Sequence, residues 1–211
     1  MNAQRVQRYN EYVNGSNPIS NLTTIKVGVV LIDFPTPERE GWDKDFYDDM
    51  LFSEGTYYGT RSGDFAPIFG SLNDYIIDQT NSNHNLVGRN GQPVIINDAD
   101  PSDPNLAEWM ILQYEREYYN ALPSQSVFIN TIIQEVEAEY GINELKSYDV
   151  IGIIFAGNNN TGYFSAAART AQLSDGTYVS TFRVPEVDAT NVVHIRSYCS
   201  RIFAFCFRSS G

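Results

Sequence analysis

Two unbroken apolar runs organise the chain. Residues 25–33 (IKVGVVLID) and 149–156 (DVIGIIFA) carry β-branched and aliphatic side chains at consecutive positions. Consecutive rather than alternating apolar residues predict strands covered on both faces. Phe34-Pro35-Thr36-Pro37 ends the first run, because proline cannot donate to a ladder, and the Gly157-Asn158-Asn159-Asn160-Thr161-Gly162 loop ends the second. Helical spacing dominates between them. Phe46, Met50 and Leu51 predict a helix in 42–52, and 71–79 (SLNDYIIDQ) predicts another, with Ser71 and Asp74 as its amino-terminal cap. Two more are expected over 106–119 and 127–140, the latter with Val127, Ile132, Val136 and Tyr140 on its apolar face. Asn85-Leu86-Val87 and Pro93-Val94-Ile95-Ile96, separated by Arg89-Asn90-Gly91-Gln92, read as a hairpin. Further on, strand-like pieces flank a Ser174-Asp175-Gly176 turn, with 178–184 the clearest. Buried strands alternating with helices predict an α/β domain.

Composition narrows the partners. With 211 residues, 42% of them hydrophobic, the chain can bury one sizeable core. Residues 1–24 are polar and read as a linker or the end of a pro-segment, 25–195 as the folded unit, and 196–211 as a separate tail. A net charge of -12 argues against nucleic acid and anionic membrane, both of which such a surface repels. It suits a soluble, calcium-containing environment. No apolar run approaches the ~20 residues of a membrane span, and the opening stretch lacks the apolar core of a signal peptide.

Five stretches, in order, resemble the immune-inhibitor-A family of bacterial metallopeptidases (peptidase family M-six), which belongs to the zincin fold group. They are Val30-Leu31-Ile32-Asp33-Phe34-Pro35, Gly70-Ser71-Leu72-Asn73-Asp74-Tyr75, Tyr148-Asp149-Val150, Ile153-Ile154-Phe155-Ala156-Gly157 and Val184-Pro185-Glu186. The resemblance implies a zincin-like amino-terminal peptidase subdomain, a twisted mixed sheet with flanking helices. It also implies secretion, a protein or peptide substrate, and Glu186 at the border of the substrate cleft. Catalysis in such a family needs a helix bearing HExxH. Two imidazoles four residues apart share one helical face and one zinc ion, while the Glu between them activates the bound water. No such motif is in frame here: the two histidines are His84 and His194.

The tail can encode a hidden version. Arg196 to Gly211 (RSYCSRIFAFCFRSSG) holds three of the 14 basic residues, both cysteines, and none of the 26 acidic residues. One permitted back-translation of it, read one base later, spells GVIVHEFLHFALGLPD. The hidden HEFLH straddles Ser200, Arg201, Ile202, Phe203, Ala204 and Phe205. The GLPD that the family places after its zinc helix follows, one residue later than the family spacing. The expectation is therefore a change of reading frame after Ile195, which disrupts the active-site helix and leaves a fragment without catalytic zinc. The alternative is a non-enzymatic extracellular binding module in which the tail is genuine and Cys199 pairs with Cys206. A cytoplasmic hydrolase has no paired-carboxylate motif to support it.

Other candidates have plainer readings. Asp98, Asp100 and Asp103 have the oxygen density of a calcium loop but lack the Gly and downstream Glu of an EF-hand, so a solvated acidic turn is the default. His84 reads as a loop residue and His194 as structural or solvated. The pairs Tyr57-Tyr58 and Tyr118-Tyr119 could line a peptide or sugar site, but core margins are the commoner place for tyrosine.

Overall fold

The longer apolar run becomes the central strand, β1 (Thr23–Asp33). The computed structural model describes residues 23–39, 47, 51–53, 58–59, 68–69, 71–79, 84–87, 99–100, 103–157, 162–164 and 167–186. The second run forms β8 (Val150–Phe155), which pairs with β1 along Val27–Ile32. On the opposite side of β1 lie β4 (His84–Val87) and, near its carboxyl end, the two-residue β7 (Met110–Ile111). Beyond β8 come β10 (Tyr178–Pro185) and the edge strand β9 (Ala167–Gln172), giving the order β4-β1-β8-β10-β9. Every neighbouring pair on this path is parallel except β9 with β10.

Parallel neighbours need long crossovers, which helices supply. They are α1 (Leu72–Gln79), α2 (Arg116–Asn120), α3 (Gln125–Tyr140) and α4 (Ile142–Leu145). The chain is thus a mixed α/β fold with a five-strand mixed path and helices. Two small two-strand ribbons lie outside it: β2 (Tyr58–Gly59) with β3 (Ile68–Phe69), and β5 (Ala99–Asp100) with β6 (Asp103–Ala107).

Successive side chains of a strand point to opposite faces. On one face Val30, Ile32, Phe34, Ile151, Ile153, Phe155 and Val179 form one core with Phe128, Ile129, Ile132, Ile133 and Val136 of α3. On the other, Val29, Leu31, Ile154, Phe182 and Val184 are equally buried. Double coverage is what the consecutive apolar residues required.

Local chemistry sets the ends of the helices. At α1 the expected cap forms in both directions: Ser71 N donates to Asp74 Oδ2 at 2.9 Å, and Asp74 N to Ser71 Oγ at 3.0 Å. At α3, Ser124 Oγ accepts from Val127 N at 3.2 Å, and Gly141 at φ 86° ends the helix. The β9–β10 turn places Gly176 at φ 87°, with Thr177 N donating to Asp175 Oδ1 at 2.9 Å. Lys146 pairs with Asp175, and Ser174 N donates to Glu137 at 2.9 Å, which ties that turn to α4 and α3.

Three sequence expectations are corrected. The helix over 106–119 is instead the end of β6, the short β7, and α2, which begins only at Arg116. Pairing with β1 fixes Met110 opposite Ile32, and that tertiary contact overrides the helical spacing. The buried stripe of α3 runs through Phe128, Ile129, Ile132, Ile133 and Val136, while Val127 is 41% exposed and Tyr140 half-buried. Within the expected hairpin, β4 pairs with β1 in parallel, and residues 93–96 lie outside the described residues. From the helix expected over 42–52, Tyr47, Leu51 and Phe52 are helical and buried, and Phe46 and Met50 lie outside the described residues.

Candidate functional site

The carboxyl ends of β1, β8 and β10 come together at Asp33, Gly157 and Glu186. From β1 the chain crosses to β4 on one side, whereas β8 leads to β10 on the other. Between β1 and β8 the winding therefore reverses, and open α/β sheets bind ligands outside the carboxyl ends at such a point.

Asp33 is fully buried and organises the loop that follows it. Its Oδ1 accepts from Phe34 N at 2.8 Å and from Glu38 N at 3.0 Å, folding residues 34–38 back over the strand end. Its Oδ2 has no hydrogen-bond partner and faces Arg39 Nη1 at 3.9 Å. A second tie holds the same loop, because Glu115 accepts from Thr36 N at 3.3 Å and from Thr36 Oγ1 at 2.9 Å.

Arg116, the first residue of α2, turns inward and is 3% exposed. Its Nε lies 3.2 Å from Glu38 Oε1 and 3.0 Å from Oε2, and its Nη2 lies 2.6 Å from Oε2. Nη2 also donates to the Ala156 carbonyl at 2.5 Å, which bridges the loop after β1 to the end of β8. The rings of Phe34 and Phe164 flank the guanidinium with centroids at 4.4 and 4.6 Å. Nη1 is buried and has no acceptor. A buried guanidinium needs such pairing, since removing one partner of a buried ion pair costs about 3–5 kcal/mol.

Gly157 sits beneath Glu38 at φ 79°, and an added Cβ would come 2.8 Å from Glu38 Oε2 and 3.3 Å from its carbonyl oxygen. Only glycine satisfies both the conformation and the space. Its N–H donates to Glu186 Oε2 at 2.9 Å. The carboxylate of Glu186, in a residue 4% exposed, also accepts from the Tyr47 hydroxyl at 2.9 Å, and its own N–H donates to the Phe155 carbonyl at 2.6 Å. Tyr47 meets Trp109 edge to face at 6.0 Å. Glu186 thus joins the end of β10, the loop after β8 and the helical segment that bears Tyr47.

Arg183 is a separate buried cation on the α3 face of β10, 5.1 Å from the Phe128 centroid. Burial, and secondarily Arg169, push its guanidinium down to about 10.

Of the residues the sequence nominated, Glu186 belongs to this cluster. Asp100 and Asp103 are backbone register partners in the β5–β6 ribbon, and Asp98 lies outside the described residues. So do Ser200 to Phe205, both cysteines, His194 and Tyr57. His84 opens β4 opposite Thr23, at the amino end of the sheet and away from the cluster. Tyr118 and Tyr119 are on α2: Tyr119 is buried in the core, and Tyr118 is exposed and stacked on Tyr114 at 4.2 Å.

The described donors do not fit a catalytic zinc. Glu38 is engaged by Arg116, Glu186 accepts from an O–H and an N–H, and among the described residues His84 stands on β4 in register with Thr23, at the other end of the sheet. What the cluster offers chemically is a guanidinium fork held in an aromatic box, suited to a carboxylate.

Asp33 and Gly157 stand inside stretches that carry the resemblance, but Tyr47, Glu38 and Arg116 were missed. Arg116 did carry one signal, being the only basic residue between Arg89 and Lys146. Comparison of the chain with protein-family models, curated proteins and solved structures returns no match.

Proposed function

We propose that the chain is the amino-terminal sheet subdomain of a secreted, zincin-like, zinc-dependent endopeptidase of the immune-inhibitor-A kind. A change of reading frame after Ile195 separates it from its catalytic helix. As translated, it holds no catalytic zinc and cleaves no peptide bond. The observation that carries this reading is the break in composition at residues 196–211, which hold both cysteines and no acidic residue, and one permitted back-translation of them spells HEFLH followed by GLPD one base out of register. The mixed sheet supports it, because β10 ends at Pro185 and the tail that would encode the active-site helix begins at Arg196. Among the described residues no helix is long and apolar enough to cross a membrane.

The nucleotide sequence over codons 196–211 is the first test. Bases that give no His-Glu-x-x-His when shifted overturn the reading. A chain expressed with the first base of codon 196 removed should gain zinc measurable by elemental analysis, while the 211-residue chain should leave casein intact. Chelator-sensitive proteolysis by the 211-residue chain would contradict the proposal. An oxidised Cys199–Cys206 pair in an ordered tail would favour the binding-module alternative instead.

A further inference from the structure

We infer that the Arg116 fork is a carboxylate-binding site, which the chain fills with its own Glu38. The inference is independent of what the tail encodes.

Three observations carry it. First, the fork lies at the carboxyl ends of β1 and β8, where the winding of the sheet reverses. Second, the guanidinium is positioned without help from Glu38: the Phe34 and Phe164 rings flank it, and the Ala156 carbonyl fixes Nη2. Its Nη1 is buried with no acceptor, so the cation is under-satisfied even with Glu38 in place. Third, the occupant comes from an exposed strap. Residues 35–39 are all exposed, and the Glu38 side chain is 36% exposed against 4% for Arg116. A buried binding group covered by an exposed carboxylate from a distant part of the chain has the arrangement of an internal competitor.

Displacing Glu38 bares the Nε and Nη2 edge, which matches a carboxylate in two parallel hydrogen bonds. Glu38 leaves as an anion into water, and the incoming anion takes its hydrogen bonds, so charge balances without a proton. Gly157 contributes no side chain to the space that Glu38 fills, so that space becomes available when Glu38 leaves. The ligand class is a monocarboxylate, either a peptide chain terminus or an Asp or Glu side chain.

The test uses the full 211-residue chain and follows the arginine side-chain N–H signals by NMR during titration. N-acetylalanine represents a chain terminus, N-acetylglutamate α-amide a side chain, and N-acetylalaninamide is the uncharged control. Glu38→Ala should bind one or both acids at least about tenfold more tightly than the unaltered chain, the scale of a charge-assisted hydrogen-bond pair. The acid that binds more tightly identifies the source. Glu38→Gln, which preserves side-chain length, should show a gain of the same sign, so an effect of Ala on the strap itself is controlled. Arg116→Lys in the Glu38→Ala chain, which keeps the charge but loses the fork and is followed by the Gly157 backbone N–H signal instead, should abolish the gain. Equal affinity with and without Glu38, an equal response to the amide, or a gain that survives Arg116→Lys overturns the inference.

Discussion

Replacing Gly152 by alanine isolates one packing contact on the second face of the sheet. Gly152 lies in the middle of β8, directly opposite Phe182 of β10 in the register. A Cβ there would stand 2.9 Å from both Cε atoms of the Phe182 ring and nearer still to Cζ. Favourable carbon contacts lie at about 3.5–4.0 Å, and Phe182 is only 5% exposed, so the ring must shift within packed surroundings. Overpacking of that kind costs about 1–3 kcal/mol. Against it stands the ordinary gain of about 0.5–1 kcal/mol when a strand glycine becomes alanine. The net expectation is a loss of roughly 0–2.5 kcal/mol. In a Phe182→Leu background the ring carbons that meet the new methyl are gone, and the same Gly152→Ala change should be neutral or stabilising. The two substitutions should therefore couple by at least about 1 kcal/mol. Urea unfolding followed by tryptophan fluorescence gives the four stabilities, with constant m-values as the check on two-state behaviour. Gly152→Ala costing the same in both backgrounds, or stabilising the unaltered chain, would refute the packing argument.

Ser71→Ala should lower stability by about 1 kcal/mol through loss of the reciprocal cap of α1, read as a fall in the urea midpoint, whereas Ser71→Asp should retain most of it. Glu186→Gln turns an amide N–H₂ toward either the Tyr47 hydroxyl or the Gly157 N–H, at a cost of about 1–3 kcal/mol. Tyr47→Phe in the same chain should relieve part of that loss, and additive effects in unfolding experiments would show that the two do not share a network. The hydrogen bond from Lys146, helped by the Thr177 N–H, holds the Asp175 carboxyl down at about 2. A depressed acid contributes stability that is complete above its unfolded value near 4 and fades as pH falls through about 2. Carbon-13 titration of the Asp175 carboxyl should find that low midpoint, and Lys146→Met should move it upward. A midpoint already near 4 in the unaltered chain would remove the pair from the account.

The two central strands were legible because burial on both faces leaves an unbroken apolar run, which is a local property of the sequence. The α1 cap was legible for the same reason, since Ser71 and Asp74 need only each other. The failure over 106–119 has the opposite cause. Leu106, Met110 and Gln113 fall at helical spacing, yet β7 exists only because β1, more than seventy residues away, offers a ladder to Met110. The Arg116 site was hidden in the same way: Glu38 is 78 residues from its partner, and no periodicity links them. Glu186 was reached through a resemblance, but its buried bonds to Tyr47 and Gly157 depend on where three distant segments converge.

The parallel pairing of β1 has a consequence for synthesis. Just before its long ladder with β8, Lys26 N donates to Asp149 Oδ2 across 123 residues, so most of the first strand emerges from the ribosome with no partner to receive it. At ~5–20 residues per second the wait is roughly 6–25 s. During that interval the nascent IKVGVVLID segment is an apolar strand with open edges, a natural client for a holding chaperone. The ladder can close once β8 clears the exit tunnel.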